Sequence, residues 1–268
     1  MNTLLLDLGS HSAKAYLKDE QLRQVGTVTW RLLEERKSIK DLENEIRELI
    51  RPFRGVCKKF IAVGTEAMRR NHELRRQIRK VCQSLGITYR TLSHEDEALL
   101  IRTATPEFSN HDIINAGGGS IQILPRNSDR LSLLSFGISD LNLQFSLNDE
   151  PDLRKTEECI AWVTSRLPND LSDFVYTGGE EKYLRHLGIP LSEGRCTMDN
   201  FEALTKYLSG LALAELESLS PHDPKWMRGA VASNCIVLAC MRKSGAKSFV
   251  PSDTNIAHGL MSSALDMQ

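Results

Sequence analysis

The chain has 268 residues and a mass of 30.1 kDa; at 41% hydrophobic and 26% charged it has the balance of an ordinary folded globular protein. That length is enough for one large domain or two lobes, each with its own core, and it excludes a small disulfide scaffold. Lys and Arg number 34 against 35 Asp and Glu, so the net charge of -1 supplies no global field toward nucleic acid or an anionic membrane. Any polyanion must be held locally.

Residues 1–8 have neither the basic start nor the apolar length of a signal peptide, and no stretch reaches the span of a transmembrane helix. The six cysteines (Cys57, Cys82, Cys159, Cys196, Cys235 and Cys240) form no CxxC pair, and Cys235 with Cys240 is a poor zinc spacing. Reduced, buried thiols and a cytoplasmic location are expected, with no nucleic-acid or membrane partner.

The chain opens with an apolar run over residues 3–8, a small-residue turn at Gly9-Ser10-His11-Ser12, and a second run over 13–17, which together predict a hairpin. Ser38, with Asp41 three residues on, caps a helix whose apolar positions Ile39, Leu42, Ile46, Leu49 and Ile50 recur until Pro52. A short strand at 60–63 follows, then an amphipathic helix over 68–85 stopped by Gly86, a strand at 87–92, and a helix beginning at Ser93. Residues 112–116, the turn Gly117-Gly118-Gly119-Ser120, and residues 121–124 are again strand, glycine turn, strand, with a further strand near 131–136. Residues 174–177 are a strand ending on Gly178-Gly179. A long helix near 199–219, an apolar helix near 229–242 ended by Gly245, a strand at 247–250 and a closing helix over 256–265 complete the chain.

This alternation predicts an α/β layer structure. Laid over the first hairpin, the second places Asn115 on Asp7, Gly117 on Gly9, Ser120 on Ser12 and Gln122 on Lys14, so the fold reads as a duplicated lobe. The boundary is expected between residues 106 and 110, giving lobes of 1–108 and 109–268, with the last helix (about 256–268) packing back on the first lobe. No Pro/Ser-rich linker separates them.

Glycine turns after strands present backbone N–H groups to phosphate because no Cβ blocks close approach. One such turn is only a turn; three in a duplicated α/β frame point to phosphate binding. None is a P-loop, since neither GxxxxGK[ST] nor a GxGxxG opening a helix occurs. His94-Glu95 does not begin a zinc-protease helix, because Ala98 stands where HExxH needs its second His.

Four segments carry a resemblance in order and spacing: Leu5-Leu6-Asp7-Leu8-Gly9-Ser10-His11-Ser12, Val63-Gly64-Thr65-Glu66-Ala67-Met68-Arg69, Leu92-Ser93-His94-Glu95-Asp96-Glu97-Ala98-Leu99-Leu100-Ile101, and Ile113-Ile114-Asn115-Ala116-Gly117-Gly118-Gly119-Ser120-Ile121-Gln122. They resemble successive blocks of the exopolyphosphatase and guanosine pentaphosphate phosphohydrolase family. Thr177-Gly178-Gly179 and Ser252-Asp253 through Gly259 resemble its later blocks, so the likeness covers nearly the whole chain and stops before the helical C-terminal domains of longer members. The resemblance implies two actin-like (ribonuclease H-like) lobes with a cleft between them, with the two glycine hairpins facing each other across it and Glu97 pointing in.

It also implies a reaction, the release of a terminal phosphate from inorganic polyphosphate or guanosine pentaphosphate with magnesium and a glutamate that activates water. By motif position Glu97 is that base and Arg69 reaches the phosphates. Gly9, Ser10, Ser12, Gly117, Gly118, Gly119, Ser120, Gly178 and Gly179 form the phosphate cradle, and Asp7, Asn115 and Gln122 occupy the metal positions. Read without the resemblance, Glu95, Asp96 and Glu97 suit the first turn of a helix capped by Ser93, and Arg69 begins a basic face with Arg70, Arg75, Arg76 and Arg79.

The sequence departs from the family at several positions. Asn115 and Gln122 replace an Asp and a Glu, His94 a glycine, Leu99 an arginine, Glu180 a threonine, and Ala257-His258 an Arg-Glu pair. Each amide keeps an oxygen and loses a charge, so a weakened magnesium site is expected. A hydrolase, a catalytically impaired sensor of a nucleotide or polyphosphate, and an ATP-dependent kinase of the same superfold are the competing functions. The sequence leaves a homodimer open.

Overall fold

The computed structural model describes residues 2–126, 128, 130–147, 152–221 and 223–262. The chain divides into two compact units, one comprising the residues up to Ala104 with the segment from Ile256 onward, the other Thr105–Asn255.

The first unit contains β1 (Thr3–Leu8), β2 (Ser12–Lys18), β3 (Leu22–Thr29), α1 (Ile39–Ile50), β4 (Lys59–Gly64), α2 (Glu66–Arg70), α3 (His72–Ser84), β5 (Thr88–Thr91) and α4 (His94–Ala104). Its sheet runs β3-β2-β1-β4-β5, antiparallel from β3 to β1 and parallel from β1 to β5. The central strand is covered on both faces. Leu4, Leu6 and Leu8 join Leu42, Ile46, Ile78 and Val81 in one core, while Leu5 turns to Tyr16 and Ile61 in another. This explains why the N-terminal run is continuously apolar instead of alternating. Ser38 caps α1 with Asp41 reciprocating, as the spacing predicts.

The single helix expected over residues 68–85 is two. Asn71 leaves helical geometry (φ -122, ψ 101), and its side-chain oxygen accepts from Leu74 N–H at 3.0 Å, so it ends α2 and caps α3. Strand β3, which the sequence reading passes over, is mostly half-buried and lies at the sheet edge, where no clean hydrophobic alternation is required.

The second unit contains β6 (Asp112–Ala116), β7 (Ile121–Leu124), β8 (Ser132–Leu134), α5 (Ile138–Phe145), α6 (Leu153–Thr164), β9 (Phe174–Thr177), α7 (Glu180–His186), β10 (Cys196–Thr197), α8 (Met198–Ser209), α9 (Leu213–Ser218), α10 (Ala230–Ser244) and β11 (Ser248–Pro251). Its sheet order is β10-β11-β9-β6-β7-β8. Read from β8 to β11, the order and strand directions repeat those from β3 to β5, so the duplication is real in the topology. The long helix expected near 199–219 breaks at Gly210, after which Ala212 N–H donates to Glu215 Oε2 at 3.0 Å and starts α9. Helix α10 is buried almost all round within the core of this unit, which is why it reads as uniformly apolar; Gly245 at φ 70 ends it.

The last described element, α11 (Ile256–Ser262), belongs to the first unit. Ala257 is buried with Leu5, Tyr16 and Ile61. Gly259 lies so close to α4 that a Cβ there would fall 2.0 Å from the Leu100 carbonyl oxygen. Residues 263–265 of the expected closing helix lie outside the described residues. All six cysteines are free and buried, and among the described residues no helix is long and apolar enough to cross a membrane.

Candidate active site

The turn between β1 and β2 is tied down through its carbonyls. Gly9 N–H donates to Ser12 O at 3.0 Å, Trp30 Nε1 donates to Gly9 O at 2.8 Å, Leu32 N–H to Ser10 O at 2.8 Å, and Trp30 and Arg31 N–H both to His11 O. The Ser10 and His11 N–H groups are left outside these bonds, as an anion cradle requires. Ser10 acts differently from a ligand in this structure: its buried hydroxyl accepts from Ala67 N–H at 3.0 Å, fastening the turn to the start of α2.

Two residues further along α2 is Arg69. Its Nε donates to Glu66 Oε2 at 2.8 Å, its Nη1 to Leu92 O at 2.8 Å, and its Nη2 lies 2.7 Å from Glu97 Oε2 and 2.8 Å from Glu66 Oε2. The two Nη2 contacts are ion pairs off the hydrogen-bond directions. Glu97 sits in the first turn of α4 and is only 5% exposed. Helix α4 starts as expected, with Asp96 N–H donating to Ser93 Oγ at 3.0 Å. Arg69 and Glu97, named together by the resemblance, thus meet directly.

Glu66 and His94 complete this cluster and were not singled out from the sequence as site residues. Glu66 accepts from Arg69 and Arg70, and His94 Nε2 lies 2.7 Å from its Oε2. Burial works to raise the Glu66 carboxyl, but the hydrogen bonds from Arg70 and Arg69 outweigh it and hold the group below its ordinary range. The i,i+3 and i,i+4 spacing of Glu66 to Arg69 and Arg70 was a visible signal. The reach from His94 back to Glu66, across 28 positions, was not.

The expected metal positions fit magnesium poorly. On β1, Asp7 pairs in register with Lys14 on β2; burial raises the Asp7 carboxyl to about 6, against the pull of the Lys14 ammonium. On β6 and β7 the corresponding pair is Asn115 and Gln122, and Asn115 Nδ2 donates to Gln122 Oε1 at 3.2 Å. Thr177 Oγ1 donates to the Ile114 carbonyl at 3.2 Å and lies 3.3 Å from Asn115 Oδ1. Two carboxylates in this register would repel by about 4 kcal/mol at 4 Å near a protein surface and would call for a cation. The amide pair needs none. Among the described residues no group of three or more His, Cys, Asp or Glu could hold a metal ion.

The second glycine turn is braced like the first. Gly117 N–H donates to Ser120 O at 2.9 Å, while Ile138 and Ser139 N–H at the start of α5 donate to the Gly117 and Gly118 carbonyls. A Cβ at Gly137 would lie 2.3 Å from Gly117 O, so only glycine lets α5 approach this closely. The third turn corrects the sequence reading. Gly178 and Gly179 have φ of 112 and 114, which glycine permits, but their N–H groups donate to Thr254 O at 3.0 Å and Ser252 O at 3.2 Å. Those two amides are committed within the protein and do not offer themselves to a phosphate.

Glu180, directly after them, is buried, and its Oε1 has no hydrogen-bond partner among the described residues. Burial, with the charge of Asp253 adding to it, raises its carboxyl to about 8. The unfolded chain ionises this group near 4.5, so between about 4.5 and 8 the folded state holds a proton that the unfolded state has released. Its contribution to stability is therefore fully present below about 4.5, is lost at about 1.4 kcal/mol per pH unit as pH rises from there to about 8, and is gone above that. Comparing thermal midpoints from pH 5 to 9, Glu180→Gln is expected to gain on the wild type as pH rises; parallel curves would contradict the assignment.

No family model matches the chain, and no curated protein does. Solved structures do. The Aquifex aeolicus PPX-GPPA enzyme is 16% identical, covers 98% of this chain and 99% of its own, and superposes with a TM-score of 0.69. An exopolyphosphatase from Cytophaga hutchinsonii is 13% identical over 97% of this chain and 96% of its own, at a TM-score of 0.74. An exopolyphosphatase-like protein is 14% identical over 97% and 98%, at 0.73. The chain therefore has the fold of the Ppx/GppA and exopolyphosphatase structures, an α/β fold in which one mixed sheet is built twice.

Proposed function

We propose that the protein hydrolyses the terminal phosphoanhydride bond of a phosphate chain, inorganic polyphosphate or guanosine pentaphosphate. The observation that carries this reading is the pairing of a buried carboxylate, Glu97, with Arg69 at 2.7 Å, on elements fastened through Ser10 to the first glycine turn. Attack on a phosphoryl group requires a base to take a proton from water and cations or N–H groups to balance charge on the phosphoryl oxygens. Glu97 supplies the base and Arg69 the cation. Water adds to the terminal phosphorus, its proton passes to Glu97, and the P–O bond to the chain breaks with the electron pair leaving on the shortened chain. The Ser10 and His11 amides hold phosphoryl oxygens, and Glu66 fixes the Arg69 guanidinium against Glu97. Likeness over nearly the full length of two solved structures, one named as a PPX-GPPA enzyme and one as an exopolyphosphatase, supports the reading.

A second reading, a sensor that binds the phosphate chain without cutting it, is favoured by one observation, the amide pair Asn115–Gln122 where the family places acids. Phosphate release from long-chain polyphosphate and from guanosine pentaphosphate, with and without magnesium, separates the two. Release is expected from at least one substrate. Binding of either without release would favour the sensor.

A further inference from the structure

At the in-register position next to each glycine turn, the chain neutralises its own polar groups. In the first unit Lys14 stands opposite Asp7, so a divalent cation approaching that carboxylate meets an ammonium. In the second unit Asn115 turns its N–H toward Gln122 and the Gln122 oxygen accepts it; Thr177 lies against the Asn115 oxygen. Gln122 is 1% exposed, so its amide has little water with which to exchange that partner. Magnesium takes near-octahedral oxygen ligands, is bound through one or two carboxylates, and dehydrates reluctantly. The amide pair offers no carboxylate, and the single carboxylate of the first pair, Asp7, has the Lys14 ammonium as its in-register neighbour.

We infer that this protein holds no resident divalent cation, the Asn115–Gln122 hydrogen bond replacing a metal-bridged acidic pair, and that it recognises its phosphate chain through side-chain cations and backbone N–H groups. The second half of this rests on the phosphate-chain reading above; the first half does not. In the second unit the balance that a bound ion would supply is replaced by an uncharged hydrogen bond, and in the first the Lys14 ammonium acts electrostatically on Asp7 from the neighbouring strand.

Calorimetric titration of magnesium into the full chain tests the first half directly. No saturable site is expected for the wild type at submillimolar magnesium. Asn115→Asp with Gln122→Glu should acquire one, with a dissociation constant at least about tenfold below the highest magnesium concentration at which the wild type shows none, a difference of about 1.4 kcal/mol of binding. Its thermal midpoint should then rise with magnesium and fall with EDTA, and Asn115→Asp alone serves if the double variant fails to fold. Saturable wild-type binding, or a well-folded double variant blind to magnesium, would overturn the inference. Tripolyphosphate is titrated separately, with EDTA and with magnesium. Wild-type affinities within about threefold of each other are expected, and binding abolished by EDTA would overturn the second half. No tripolyphosphate binding under either condition would sink the phosphate-chain reading and leave the magnesium result to stand on its own.

Discussion

Glu97→Gln is expected to lower phosphate release by about 10² to 10⁴, the usual worth of general-base assistance. The amide has nearly the same shape in a site only 5% exposed, and Arg69 keeps Glu66 and the Leu92 carbonyl as partners, so the fold should survive. Removing one of the two carboxylates that face Arg69 also leaves its charge freer for a phosphate. Tripolyphosphate affinity should therefore hold or rise while turnover collapses. Turnover at the wild-type level would assign the base to another residue, and affinity lost together with turnover would point to a structural role for Glu97.

Gly259→Ala is expected to destabilise the first unit by about 1–3 kcal/mol, the range for an extra methyl forced into a packed contact. The added Cβ would meet the Leu100 carbonyl oxygen at 2.0 Å, and the obstacle is helix backbone that no side-chain rotation can clear. Leu100 lies on α4 one turn beyond Glu97, so α11 must back away or push the helix that carries the base. A lowered thermal midpoint with a fall in turnover is the expected pair of results. Gly55→Ala, where nothing lies within 4 Å of the new Cβ, is the control and should change neither. An unaltered midpoint for Gly259→Ala would mean that the helices slide apart at little cost.

Much of the fold was legible because its signals are local. The continuous apolar run of β1, the Ser38–Asp41 cap of α1 and the glycine stop after α10 each act within a few residues. The two helix breaks show what defeats such reading. Apolar periodicity continues through residues 68–85 and 199–219, whereas the chain direction is decided by one capping Asn71 and one Gly210. In the site, Arg69 and Glu97 were reached through motif resemblance, and the contact between them joins segments 28 positions apart. The loss of Gly178 and Gly179 from the cradle could not be read, because their N–H groups are taken by carbonyls more than seventy positions away, at Ser252 and Thr254. Asn115 and Gln122 were visible as departures from the family, but only the strand register shows that they satisfy each other.

The central claim is that water, activated at Glu97, attacks the terminal phosphorus. Hydrolysis of polyphosphate in ¹⁸O-labelled water, followed by mass spectrometry of the products, tests it most directly. One ¹⁸O in each released monophosphate, none in the shortened chain, and loss of both products in Glu97→Gln is the predicted result. Label in the shortened chain, or labelled monophosphate released undiminished by Glu97→Gln, would contradict it.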